Sequence, residues 1–283
     1  MRSRPRGRTS LAGLALLLAS VAATAGEVAP WVVATYAYPQ RDRAAAVQPL
    51  ADYLARRGQH PVQVRVLPSP TALVEALRDG QVDVAVPNLH GYLQARRGPG
   101  GVATLPVPDV PAAQADRYRA VLVARDEVDS IEALQHRAGR LRLVLVGRDS
   151  ASGGFVPAQR LHELGLRPAS DFASLHYAGS HAAALQALVD GEADVAALAA
   201  DVYDASRPQE VRELWRSAPI PPGPLLCRES AQVPCAAIAG WLLEAHRQDP
   251  AVMAGLRAGW PEFGDASAFT PARPMPLQLP GVD

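Results

Sequence analysis

The chain has 283 residues, with 28 basic residues against 28 acidic ones and 48% of its residues hydrophobic. No lysine occurs, which excludes Schiff-base chemistry and a P-loop lysine. Without the four arginines at the N-terminus the remainder carries 24 basic against 28 acidic residues, a net of −4. That balance disfavours nucleic acid and anionic membrane as partners, so any bound anion must be held by a local pocket.

Arg2, Arg4, Arg6 and Arg8 form a basic start, residues 11–23 an apolar run, and Ala23-Thr24-Ala25 a small-x-small cleavage pattern. Together they read as a signal peptide over 1–25 and a periplasmic mature chain from near Gly26. The apolar run is too short for a comfortable membrane span. No cysteine stands at the junction to carry a lipid anchor.

Residues 31–35 read as a short buried strand, and 43–57 as an amphipathic helix with Ala46, Leu50, Tyr53 and Leu54 on one face, stopped by Gly58. A strand over 62–67, a helix over 71–79 capped by Ser69, a strand over 82–86 and a helix over 90–97 follow. The same grammar returns in a helix over 130–137, a strand over 141–146, helices over 154–164 and 181–189, a strand over 193–198 and a helix over 236–246. This alternation predicts open α/β sheets.

One internal repeat stands out. Ala72-Leu-Val-Glu-Ala-Leu-Arg-Asp-Gly-Gln-Val-Asp-Val-Ala85 parallels Ala183-Ala-Leu-Gln-Ala-Leu-Val-Asp-Gly-Glu-Ala-Asp-Val-Ala196, with Gly80 and Gly191 placed 111 positions apart. Each copy is a helix ended by Asp-Gly and followed by a strand, as expected for two similar lobes. The division predicted is 26–124 for lobe one, 125–216 for lobe two, and 217–283 returning to lobe one with a proline-rich tail. Residues 118–124 and 217–227 are the crossing segments. Cys227 and Cys235 are the only thiols, and export puts them where a disulfide persists, between a strand and a helix. Neither a metal nor a cofactor is expected.

The sharpest local feature is Gly147-Arg-Asp-Ser-Ala-Ser-Gly-Gly-Phe-Val-Pro157. Here a strand ends, small residues turn the chain, and a helix begins. Exposed amides at a helix start attract anions. Ser150 and Ser152 add hydroxyls, and Gly153 and Gly154 permit close backbone approach.

Asp149-Ser-Ala-Ser-Gly-Gly-Phe-Val-Pro157 resembles the S-x-S-G-x-x-x-P signature of the PhnD-like phosphonate, phosphite and phosphate binding proteins of ABC importers. Tyr177-Ala-Gly-Ser-His181, residues 193–203, Ala218-Pro-Ile-Pro-Pro-Gly-Pro224 and Gly80-Gln-Val-Asp-Val-Ala85 are similar to further blocks of that family, in family order. The resemblance implies a two-lobed type II periplasmic binding fold, each lobe a mixed sheet flanked by helices, with a ligand cleft between lobes. It also implies that Ser150, Ser152 and neighbouring amides, including Ala151 and Gly153, hold a small oxyanion, that His181 donates to it, and that Asp201 lies near it. Pro70, Pro87 and Gly223 replace a tyrosine, a tyrosine and an acid that relatives use. Tyr36, Tyr38, Asn88 and His90, at predicted strand ends of lobe one, are candidate replacements.

Ser, His and Asp are all present, but G-x-S-x-G, HExxH, a Walker loop and GxGxxG are not, so a binding protein is expected and not an enzyme. The expected partner is an ABC permease in the inner membrane or, alternatively, a membrane sensor kinase that reads the closed form; the chain itself is expected to be a monomer.

Overall fold

The computed structural model describes residues 28–97 and 101–273. The signal peptide expected over 1–25 and the last ten residues of the tail lie outside the described residues. In chain order the strands are β1 (Trp31–Tyr36), β2 (Val62–Leu67), β3 (Val84–Ala85), β4 (Val102–Thr104), β5 (Val107–Pro108) and β6 (Ala120–Arg125). They continue as β7 (Arg142–Leu145), β8 (Ser174–Tyr177), β9 (Val195–Ala199), β10 (Val211–Arg216), β11 (Leu226–Arg228) and β12 (Phe269–Thr270).

Two five-stranded sheets result, ordered β2-β1-β3-β11-β4 and β8-β7-β9-β6-β10, with a small β5-β12 ribbon beside them. The sheets match place for place. β1 runs parallel to β2 and β3, as β7 does to β8 and β9. β11 is antiparallel to β3 and β4, as β6 is to β9 and β10. Each antiparallel strand arrives from the other lobe's run of chain, so two crossing segments tie the sheets together. β6 spans the expected boundary at 124 and pairs along its length inside the second sheet.

Central strands are buried on both faces, which explains their unbroken apolar character. All six residues of β1 are buried. Trp31 and Val33 pack with the helix Arg43–Gly58, while Val32, Ala34 and Tyr36 pack on the opposite side with Pro70–Arg78. In β6, Val121 and Val123 face one core, and Leu122 and Ala124 the other.

The repeat is a structural unit in both lobes. Helices Pro70–Arg78 and His181–Val189 are capped by the hydroxyls of Ser69 and Ser180, each accepting an amide at 3.1 Å. Gly80 and Gly191 then take left-handed φ values of 75° and 71°, which only glycine adopts cheaply. Asp83 accepts from the Val32 amide at 2.8 Å and pairs with Arg228. Asp194 accepts from the Arg142 amide at 2.7 Å and pairs with the Arg142 guanidinium at 2.7 Å. Each aspartate therefore pins the strand after the repeat helix to the first strand of its own lobe.

Three local expectations need correction. Gln59, with φ 47°, is the left-handed residue that ends Arg43–Gly58; Gly58 is glycine because a Cβ there would strike the Trp31 ring. Residues 218–224 do not form a strand, since Pro219, Pro221, Pro222 and Pro224 have no amide to donate to a ladder. The crossing segments meet instead through the Ser217 amide on the Ala120 carbonyl (2.9 Å) and the Ile220 amide on the Tyr118 carbonyl (2.8 Å). Asn88 and His90 belong to a helix start, not a strand end: Leu89–Arg97 begins there, capped by Asn88. Cys227 and Cys235 are bonded, with Cα atoms 5.8 Å apart, and join β11 to the helix Cys235–Gln248.

Candidate functional site

A cavity of about 470 Å³ opens between the two sheets. Lobe two supplies its wall from the ends of β7 and β9 and the starts of three helices. Ser150, Ala151, His181 and Asp201 all line it. From lobe one come Tyr36, Tyr38, Asn88, Ser69 and Pro70, with Arg43 and Glu262 beside them.

The turn after β7 is built by its glycines. A Cβ on Gly154 would collide with the Gly147 carbonyl oxygen, and one on Gly153 with the Val146 side chain. The chain can therefore fold back onto the strand end, and the Val146 amide donates to the Gly153 carbonyl at 2.7 Å. The first helical turn, Ala151–Phe155, is wide, with the Phe155 amide reaching the Ser150 carbonyl at 2.8 Å. Such widened turns cluster at functional sites because they present backbone groups outward. Ser150 accepts from the Gly153 amide at 3.2 Å, which leaves its hydroxyl hydrogen to donate. The amides of Ala151 and Ser152 have no acceptor among the described residues, as expected for first-turn donors.

His181 opens the next helix and is 8% exposed. Its Nδ1 accepts from the Ala199 amide at 3.0 Å, so the proton sits on Nε2. Burial pushes the imidazole down to about 4, keeping it neutral. A neutral ring whose remaining nitrogen carries hydrogen can donate to an anion and stays the same donor throughout the neutral range.

The other expected residues divide. Asp201 is exposed, in the first turn of Ala200–Ser206 at the cleft wall. Tyr36 is buried, and that burial raises its hydroxyl to about 12, so it is a neutral donor. Asn88 lines the cleft with both ends of its amide engaged: Oδ1 accepts from Gly91 and Nδ2 donates to the Asp149 carbonyl, each at 2.8 Å. Ser152, Gly153 and His90 are not in the cleft wall. Ser152 is fully buried, its hydroxyl 3.1 Å from that of Tyr118. His90 packs against Phe155 at 5.3 Å between ring centres.

Arg43 and Glu262 are additions that sequence reasoning missed. The Arg43 guanidinium, 4% exposed, lies 4.1 Å from the Trp260 ring centre and 4.4 Å from that of Tyr36. Its Nε and Nη1 have no hydrogen-bond partner among the described residues. Stacked aromatic faces offset part of the cost of burying this cation. Burial raises the Glu262 carboxyl above the usual carboxylate range, and the nearby Arg43 charge opposes that rise. Arg43 carried a weak signal as the first residue of a helix at the cleft end of β1. Glu262 carried none, because nothing in residues 251–268 marks a strand or a ligand turn.

The family model for "ABC transporter, phosphonate, periplasmic substrate-binding protein" matches residues 32–269. The chain belongs to this family. It is a periplasmic substrate-binding protein that works with an ABC importer, and its cleft holds a ligand without catalysis. Solved structures of the same fold include a Xanthomonas citri protein bound to chloride, 21% identical, with a TM-score of 0.69 over 86% of this chain and 92% of that one. A binding protein component of an ABC phosphonate transporter from Pseudomonas aeruginosa is 17% identical, with a TM-score of 0.65 over 85% and 81%. The methylphosphonate complex of PhnD1 from Prochlorococcus marinus is 17% identical, with a TM-score of 0.65 over 86% and 93%. No curated protein matches the chain by sequence.

Proposed function

We propose that this cleft captures a small phosphorus oxyanion, of the phosphonate, phosphite or phosphate kind, for delivery to an inner-membrane permease, after export through a signal peptide over 1–25. Ser150, the Ala151 amide and His181 Nε2 hold its oxygens, and Arg43 supplies positive charge nearby. The relatives named for phosphonate and bound to methylphosphonate support this class.

The observation that carries the preference for phosphorus is the pair of carboxylates, Asp201 and Glu262, lining the same cavity as those donors. Carboxylates are acceptors and need a ligand that can donate. A phosphate-type monoanion still carries a proton that it can donate, whereas a sulfonate has none to give. A name alone does not separate the two, since a sulphonate-binding protein from Escherichia coli shares the fold at a TM-score of 0.54.

The test is thermal unfolding of the protein with phosphate, phosphite, methylphosphonate, sulfate and methanesulfonate. A ligand at 100 times its Kd should stabilise the fold by about 2.7 kcal/mol. Phosphorus ligands are expected to shift the melt and sulfur ligands to leave it unchanged, with Asp201→Asn and Glu262→Gln narrowing that gap. No shift with any oxyanion overturns the reading, and a shift with methanesulfonate alone overturns the preference.

A further inference from the structure

The helix Pro70–Arg78 also aims its first turn at the cleft, which Ser69 and Pro70 line. A free helix start of this kind would be a second anion site in lobe one. Every backbone amide of this one is already used. Pro70 has no N–H. The Ala72 amide donates to the Ser69 hydroxyl at 3.1 Å, and the Leu73 amide to the Ser69 carbonyl at 3.0 Å. The remaining amide, that of Thr71, meets Asp149 Oδ2 at 3.3 Å. That oxygen comes from lobe two, one residue before Ser150.

Asp149 is held by lobe one at a second point, because its carbonyl accepts from Asn88 Nδ2 at 2.8 Å. Asn88 is itself fixed, 5% exposed and with its Oδ1 on the Gly91 amide. The contact continues where Phe155, on the same turn, packs against His90 of the helix Leu89–Arg97.

We infer that Asp149 is a built-in anion that occupies the lobe-one half of the cleft. Its carboxylate takes the place of a ligand oxygen at the start of Pro70–Arg78 and docks the anion-binding turn onto lobe one. The two lobes thus stay closed without ligand, and an incoming oxyanion is left to the donors of lobe two. Only this last consequence rests on the oxyanion reading; the clasp itself does not.

The test therefore uses unliganded protein. Spin labels on Glu75→Cys and Gln186→Cys, which sit on exposed faces of the two repeat helices, report the distance between lobes by double electron–electron resonance. The native cysteines are bonded to each other and stay unlabelled. With Asp149 present, a single narrow distribution is expected, scarcely changed by methylphosphonate. Asp149→Ala should move it to longer distances and broaden it, and Asp149→Asn, with a neutral acceptor left, should move it less. Asn88→Asp keeps the cap on Gly91 but removes the donor to the Asp149 carbonyl, so it should open the lobes too and carries the test if Asp149→Ala fails to fold. Unchanged distances in the folded variants overturn the proposal. Absence of methylphosphonate binding, with the opening still seen, leaves the clasp standing and counts only against the oxyanion reading.

Discussion

The two lobes share one plan and differ where it meets the cleft. Ser69-Pro70-Thr71 of lobe one stands where Ser180-His181-Ala182 stands in lobe two, at the start of equivalent capped helices. In lobe two that start presents a buried neutral imidazole, and the neighbouring turn presents the unused Ala151 amide. In lobe one the imidazole is replaced by a proline with nothing to donate, and the one spare amide is taken by Asp149. The folding requirements are met in both copies alike; an unused amide at the cleft remains in only one. The lesson is that a repeat can conserve its scaffold, the Asp-Gly turn and the strand-pinning aspartate, while its functional edge diverges.

The largest effect is expected at Gly154, which has no counterpart in lobe one. Gly154→Ala should cost about 3 kcal/mol in denaturant unfolding, because the Gly147 carbonyl in its way is backbone and cannot swing aside. Gly80→Ala and Gly191→Ala meet only a left-handed backbone and should cost about 1–2 kcal/mol each. Equal losses at all three would erase the special status of the lobe-two turn.

His181 gives that lobe a pH signature. Its folded value of about 4 lies below the unfolded value of about 6.5, so the unfolded chain binds more protons between them. Stability from this group is complete above pH 6.5 and falls as pH drops, by about 3 kcal/mol at pH 4. Glu262, raised by burial, has the opposite sign: its folded form holds the proton longer, and its contribution is lost as pH rises through its folded value. Comparing His181→Gln with the parent isolates the histidine. The acid-side slope should flatten in the variant, and an unchanged slope would mean that the ring is not held neutral.

A smaller difference is expected between the paired aspartates. Asp83 is buried and its partner Arg228 is a quarter exposed, whereas Arg142 beside Asp194 is 44% exposed. Asp83→Ala should cost about 3 kcal/mol and Asp194→Ala about 1 kcal/mol, because water can solvate what the second leaves unpaired. The reverse order in urea titrations would show that the two pins are not equivalent in the way their geometry implies.

Much of this was legible in the sequence, for physical reasons that differ by element. The repeat could be read because Asp-Gly demands a left-handed turn and the following Asp has to satisfy a strand amide. β1 and β9 could be read because burial on both faces leaves an apolar run. The Ser150 turn could be read because two adjacent glycines after a strand imply close backbone approach. Short strands such as β8, with half its residues exposed, lack that contrast. The role of Asp149 arises from contacts across the cleft, and those of Arg43 and Glu262 from the packing of Arg43 with Trp260 inside lobe one, at sequence separations that no local pattern encodes. Ser152 shows the same limit from the other side: its spacing from Ser150 fits a ligand turn, yet the structure turns it inward to Tyr118.

The most direct measurement is a crystal structure of the protein with methylphosphonate. The account predicts phosphonate oxygens within hydrogen-bond distance of Ser150 Oγ, the Ala151 amide and His181 Nε2, with the Thr71 amide still on Asp149. A phosphonate seated on the Thr71 amide, with Asp149 displaced and the lobe-two donors empty, would contradict it.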